Sequence, residues 1–144
     1  LALRHHQPTP RLQLGRLLAE RGLVGAMIDI SDGLASDLEH ILQASQVNGQ
    51  IEEGKLPLSE YFRKHADMQP DLLGLALYGG EDYELLFTVA PEKAAEVAAL
   101  CIKLSLPITA IGMIQAGSGI LSLRDKSGAA RPVLVRGYDH FCRS

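Results

Sequence analysis

Cysteine is scarce in this chain: Cys101 and Cys142 are the only two, far apart and outside any metal-ligand spacing. Such usage points to a reducing compartment and to Cys101 as a small core residue. The five histidines do not gather either, with His5 and His6 adjacent and His40 on the solvated side of a helix, so a zinc site has no support. No apolar run approaches the length of a membrane span, and the first residues lack the basic start and apolar core of a signal peptide. The cytoplasm is the expected location. Basic charge is not in excess: 14 Lys and Arg stand against 17 Asp and Glu, a formal charge of −3. No basic face is evident, and nucleic-acid binding is not expected. Neither a Gly-Lys-Ser/Thr phosphate loop, a serine nucleophile elbow nor a Cys-His signature occurs. Leu1 in place of Met suggests a piece of a longer chain.

The 144 residues suffice for one domain with a real core, and repeats and low-complexity tracts are absent. After an aperiodic start, Leu12, Leu14, Leu17 and Leu18 support a short helix stopped by Gly22. A strand over 25–30 runs into a helix over 33–45, with Leu34, Leu38, Ile41, Leu42 and Ser45 on one face and Ser31 or Asp32 as its cap. A strand over 47–53 follows, then short helices near 58–66 and 70–77, the second opened by Pro70-Asp71. Alternation predicts a strand over 83–90, and Pro91-Glu92 opens an alanine-rich helix to about Leu104. Strands are predicted at Ile108–Ile114, Ile120–Leu123 and Val133–Val135. The order β-α-β-α then β-α-β-β implies an α/β (α+β) fold with helices packed on a mixed sheet.

Three stretches can carry chemistry. In Ala26-Met27-Ile28-Asp29-Ile30-Ser31-Asp32-Gly33-Leu34, two carboxylates and a hydroxyl sit where a strand meets a helix. A helix start offers unpaired N–H groups and the positive end of the dipole to a phosphate, and paired aspartates can hold a divalent cation. Simple capping competes with this reading on even terms. In Gly79-Gly80-Glu81-Asp82-Tyr83-Glu84, three acids crowd the start of a buried strand, which costs stability unless they meet a cation or a donor. By itself the stretch reads as a glycine turn with a solvated acidic rim. Gly137-Tyr138-Asp139-His140-Phe141 places two aromatics near the chain end, either as a core anchor or as a face for a flat ligand ring.

Taken together, Asp29-Ile30-Ser31-Asp32-Gly33-Leu34-Ala35-Ser36-Asp37-Leu38 and Gly79-Gly80-Glu81-Asp82-Tyr83-Glu84-Leu85-Leu86-Phe87-Thr88 resemble the thiamine-monophosphate kinase family. Pro8-Thr9-Pro10-Arg11, Gly15, Leu56-Pro57-Leu58 and the terminal Gly-Tyr-Asp-His-Phe resemble it too, in the same order. The resemblance covers essentially the whole chain. It implies residues 1–12 as an inter-domain linker and 13–144 as a C-terminal domain. The implied fold is a three-layer α/β/α arrangement with a mixed sheet, partly ferredoxin-like, as in the C-terminal domain of aminoimidazole ribonucleotide synthetase. An N-terminal domain that dimerises and supplies further metal ligands is implied but lies outside this chain.

Carried over by position, the resemblance implies that Asp29 and Asp32 ligate magnesium and that Ser31 contacts nucleotide phosphates. Glu81 is implied to recognise thiamine monophosphate, with Tyr138 or Phe141 against its rings and Asp82 and Glu84 in support. The implied activity is ATP-dependent phosphorylation of thiamine monophosphate to thiamine diphosphate, with the fragment alone inactive. Two alternatives stay open: another ATP-using enzyme of the same superfamily with a different acceptor, and a non-catalytic ligand-binding or interaction module.

Overall fold

The computed structural model of the chain describes residues 11–60, 64 and 71–134. Helix α1 (Leu12–Glu20) buries Leu14 and Leu18, four residues and so one turn apart. Strand β1 (Met27–Asp29) leads to α2 (Leu34–Ser45), whose buried face carries Leu34, Leu38, Ile41 and Leu42 as expected, while Ser45 is exposed. Gln46 takes a left-handed conformation (φ 53°) that ends α2 and sends the chain straight into β2 (Val47–Glu52). A 3₁₀ turn covers Glu53–Lys55. Helix α3 (Leu72–Tyr78) is capped by Asp71, which accepts the Gly74 N–H at 2.7 Å. Strand β3 (Leu85–Phe87) is followed by a 3₁₀ turn at Pro91–Lys93 and by α4 (Ala94–Lys103). Strands β4 (Gly112–Ala116), β5 (Leu121–Arg124) and β6 (Ala130–Pro132) complete the described chain.

The mixed α/β fold is as expected, but the described strands divide between two sheets instead of joining one. Four form a sheet in the order β4-β2-β5-β6, with β2 antiparallel to β4 and parallel to β5, and β5 antiparallel to β6. The other two, β1 and β3, form an antiparallel pair in which Asp29 stands opposite Leu85. The strand predicted at 83–90 is shorter at both ends: Tyr83 (φ 50°) leaves the extended conformation at its start, and β3 stops at Phe87. The last strand lies at 130–132, ahead of the predicted 133–135.

The β1–β3 pair lies between two apolar clusters, and period-two alternation sends successive residues to each. Met27, Leu85 and Phe87 pack on the cluster of Leu14, Leu18, Val97, Leu100 and Cys101, supplied by α1 and α4. Ile28 and Leu86 belong to the other, where α2 packs against Ile51, Leu121 and Leu123 of the four-stranded sheet. Gly49 lets α2 come close to β2: a Cβ there would lie 2.9 Å from a Leu42 methyl. Burial on both faces anchors β1, so the loop after Asp29 leaves from a fixed point. Cys101 is fully buried as expected, and burial raises its thiol pKa.

Candidate functional site

Two of the three stretches singled out in the sequence meet at the end of β1. The Glu81 N–H donates to the Ser31 carbonyl at 2.9 Å, and the Tyr83 N–H donates to the Ile30 carbonyl at 2.9 Å. The Ile30 N–H returns to the Glu84 carbonyl, also at 2.9 Å. Three main-chain bonds thus join residues 30–31 to 81–84 although about fifty positions separate them in sequence. Glycine makes the approach possible. A Cβ on Gly80 would lie 2.5 Å from the Ser31 oxygen, and one on Gly33 would lie 3.0 Å from the Tyr78 backbone. Asp29 and Asp32 are both exposed at this corner, Ser31 is half-buried, and Glu81 is exposed on the facing segment.

The local reading of the helix start needs correction. Neither Ser31 nor Asp32 caps α2; its N-cap is Gly33, at φ 106° and ψ 149°, with no side-chain cap bond. The Ser31 and Asp32 N–H groups are not open to a phosphate either. Both donate to one oxygen of Asp37, at 2.9 and 3.2 Å. Asp37 is 2% exposed, a buried carboxylate in the first turn of α2. Its burial is offset by these two charge-assisted bonds and by the positive end of the helix dipole. No role was expected for it from the sequence. The available signal was its position three residues after Leu34 and four before Ile41, which puts a charge on the apolar face.

The acids of the second stretch are treated differently from one another. Glu84 is engaged by Arg11 in a two-pronged ion pair, Nε to Oε2 at 2.9 Å and Nη2 to Oε1 at 2.7 Å. That pair ties the residue before α1 to the approach to β3. Asp82 has its carboxyl pKa raised, first by loss of hydration and then by the nearby Glu84 charge. Asp82 is exposed with a raised pKa, and Glu84 is anchored by Arg11. Tyr138 and Phe141 lie outside the described residues, as do His5, His6 and Cys142.

The donor set suits a hard cation, in part. Asp29 and Asp32 present carboxylate oxygens to solvent, the ligand type magnesium takes. Among the described residues no group of three or more His, Cys, Asp or Glu gathers to hold a metal. Asp29 and Asp32 alone would be a partial ligand set for such a cation. The exposed carboxylates of Asp29 and Asp32 at this corner repel a phosphate that arrives alone. A bridging cation reverses that sign. Among the described residues no helix is long and apolar enough to cross a membrane.

Comparison with known proteins shows the family and fold of the chain. The chain is 43% identical over 155 aligned residues to thiamine-monophosphate kinase of Haemophilus influenzae, covering 100% of this chain and 44% of that protein. A crystal structure of thiamine-monophosphate kinase from Stenotrophomonas maltophilia K279a superposes with a TM-score of 0.76 at 39% identity, over 90% of this chain and 39% of that one. The complex of AaThiL with AMPPCP and TMP gives a TM-score of 0.75 at 33% identity, over 97% of this chain and 40% of its own. The chain thus spans well under half the length of the curated relatives it matches. The family model for the C-terminal domain of AIR synthase related proteins matches residues 3–123, and this chain belongs to that family.

Proposed function

We propose that this chain is the C-terminal part of a kinase that transfers a phosphate from ATP to thiamine monophosphate, giving thiamine diphosphate. The observation that carries the reading is the junction of residues 29–32 with 79–84 through the Ser31 carbonyl and the Glu81 N–H. It gathers the residues suited to metal and nucleotide beside the residue suited to the second substrate. The likeness to a kinase structure holding AMPPCP and TMP supports the same assignment.

In this reading Asp29 and Asp32 hold magnesium, Ser31 contacts the nucleotide phosphates, and Glu81 faces the cationic, amine-bearing thiamine moiety. Tyr138 or Phe141 lies against the thiamine rings. Magnesium, when bound, neutralises phosphate charge and helps align the two substrates. The bond from the γ-phosphorus to the ADP oxygen breaks as a thiamine monophosphate oxygen bonds to that phosphorus. The acceptor oxygen is ionised at neutral pH, so no strong general base is required. Positioning and charge neutralisation by the corner supply most of the rate. An N-terminal domain of the full-length protein, itself homodimeric, completes the metal set, and the enzyme works in the cytoplasm.

The test is a direct assay of the full-length protein with thiamine monophosphate, ATP and magnesium, detecting thiamine diphosphate. Product from the wild type, with Asp29→Asn and Asp32→Asn folded but inactive, is the expected result. Full activity in both variants would remove the metal assignment. No product from folded wild-type protein would overturn the reading.

A further inference from the structure

Asp37 lies behind the corner. Its carboxylate reaches backward past the N-cap and takes the N–H groups of the two residues before Gly33. Its own N–H meanwhile donates to the Gly33 carbonyl at 3.0 Å, closing the first turn of α2. This differs from the familiar box, in which a side chain of the first turn returns to the N-cap N–H itself. Here one buried carboxylate turns the amides of Ser31 and Asp32 inward, while the Asp32 side chain remains exposed. On the opposite edge the same loop is held by the Glu81 N–H on the Ser31 carbonyl. The peptide of Ser31 is thereby fixed on both sides, its N–H by Asp37 and its carbonyl by the Gly79-Gly80-Glu81 segment.

We propose that Asp37 is a positioning residue for phosphate transfer: it touches neither metal nor substrate, and it sets where Ser31 and Asp32 present their oxygens. The proposal deepens the kinase reading and rests on it for its functional part. A side chain without an acceptor would free both amides and would let Asp32 wander relative to Asp29. Loss of such a partner behind a metal ligand typically weakens metal affinity or activity by roughly 10–100-fold.

The experiment uses the full-length protein and the variants Asp37→Asn and Asp37→Ala. Hydrogen exchange, read by mass spectrometry on peptides spanning 30–36, is expected to be slow at the Ser31 and Asp32 amides in the wild type. It should be about 10–100-fold faster in Asp37→Ala, with Asp37→Asn between, because asparagine keeps an acceptor oxygen and loses the charge. Kinetically, the magnesium concentration giving half-maximal rate should rise by roughly 10-fold or more. The Michaelis constant for thiamine monophosphate should stay within about twofold, since Glu81 is held through the Ser31 carbonyl and not through Asp37. Rapid exchange at both amides in the wild type would overturn the geometry even if neither variant folds. Faster exchange with an unchanged magnesium dependence, or equal shifts in every constant, would overturn the positioning role and leave Asp37 a purely structural residue. A wild type with no kinase activity would overturn the functional half through the failure of the kinase reading, and the exchange data would still decide the loop.

Discussion

Replacing Gly33 by alanine tests whether the corner depends on a backbone conformation that only glycine takes cheaply. Gly33 stands at φ 106° and ψ 149°, a region nearly closed to other residues, and occupying it with a side chain costs about 1–3 kcal/mol. A second cost arises from contact. The added Cβ would stand 3.0 to 3.1 Å from the carbonyl carbon, Cα and oxygen of Tyr78, which are main-chain atoms that cannot rotate aside. Overpacking of this kind adds roughly 1–3 kcal/mol, for a total of about 2–6 kcal/mol. Two other glycines separate the contributions. Gly128 has φ 90° but nothing within 4 Å of its absent Cβ, so Gly128→Ala should show the conformational part alone, about 1–3 kcal/mol. Gly54 has open space and no positive φ, and Gly54→Ala should fall within about 0.5 kcal/mol of wild type. Urea unfolding of the full-length protein, with midpoints compared at unchanged slope, gives the three values. A Gly33→Ala variant no less stable than Gly128→Ala would refute the claim that close approach to Tyr78 builds the corner.

Four further outcomes are expected. Glu81→Ala should raise the Michaelis constant for thiamine monophosphate more than that for ATP in steady-state assays, and the reverse order would reassign Glu81. Glu84→Gln should cost about 1 kcal/mol or less, because the Arg11 pair is partly exposed, and the loss should shrink in high salt; a salt-independent loss would point to another cause. Asp82 has a raised folded-state pKa, so its contribution turns unfavourable as pH rises from its ordinary value of 3.8 through the folded value. Asp82→Asn should therefore stabilise the protein at pH 7, with the gain vanishing below about pH 4 in thermal melts, and a variant less stable at pH 7 would refute that sign. Leu42→Ala, which empties a fully buried position between α2 and β2, should cost about 2–5 kcal/mol by urea unfolding, and a loss below about 1 kcal/mol would contradict the packing.

Much of the fold was legible because local physics and tertiary packing agree there. Leucine spacing places α1 and α2 within a residue or two, and Asp71 starts α3 as its type and position suggest. Strand limits were less legible. The run 83–90 alternates well enough to read as a strand, but its start is lost where Tyr83 takes a positive φ and donates its N–H to the Ile30 carbonyl. A one-dimensional pattern carries no trace of partners about fifty positions away. The division of the strands into two sheets was hidden for the same reason, since alternation reports the faces of a strand and not its neighbour.

At the candidate site, the sequence by itself determined which chemistry is available: hard oxygen donors at Asp29, Ser31 and Asp32, and an acid at Glu81 behind a double glycine. Side-chain identity and short spacing suffice for that. Only the tertiary structure decided how those groups are used. It brought Glu81 to Ser31, gave Glu84 to Arg11, and turned the Ser31 and Asp32 amides, which precede α2, onto the buried Asp37. The physical reason is hydrogen-bond satisfaction: a buried carboxylate must find donors, and the amides of Ser31 and Asp32 supply them from a segment that sequence spacing alone does not place beside it.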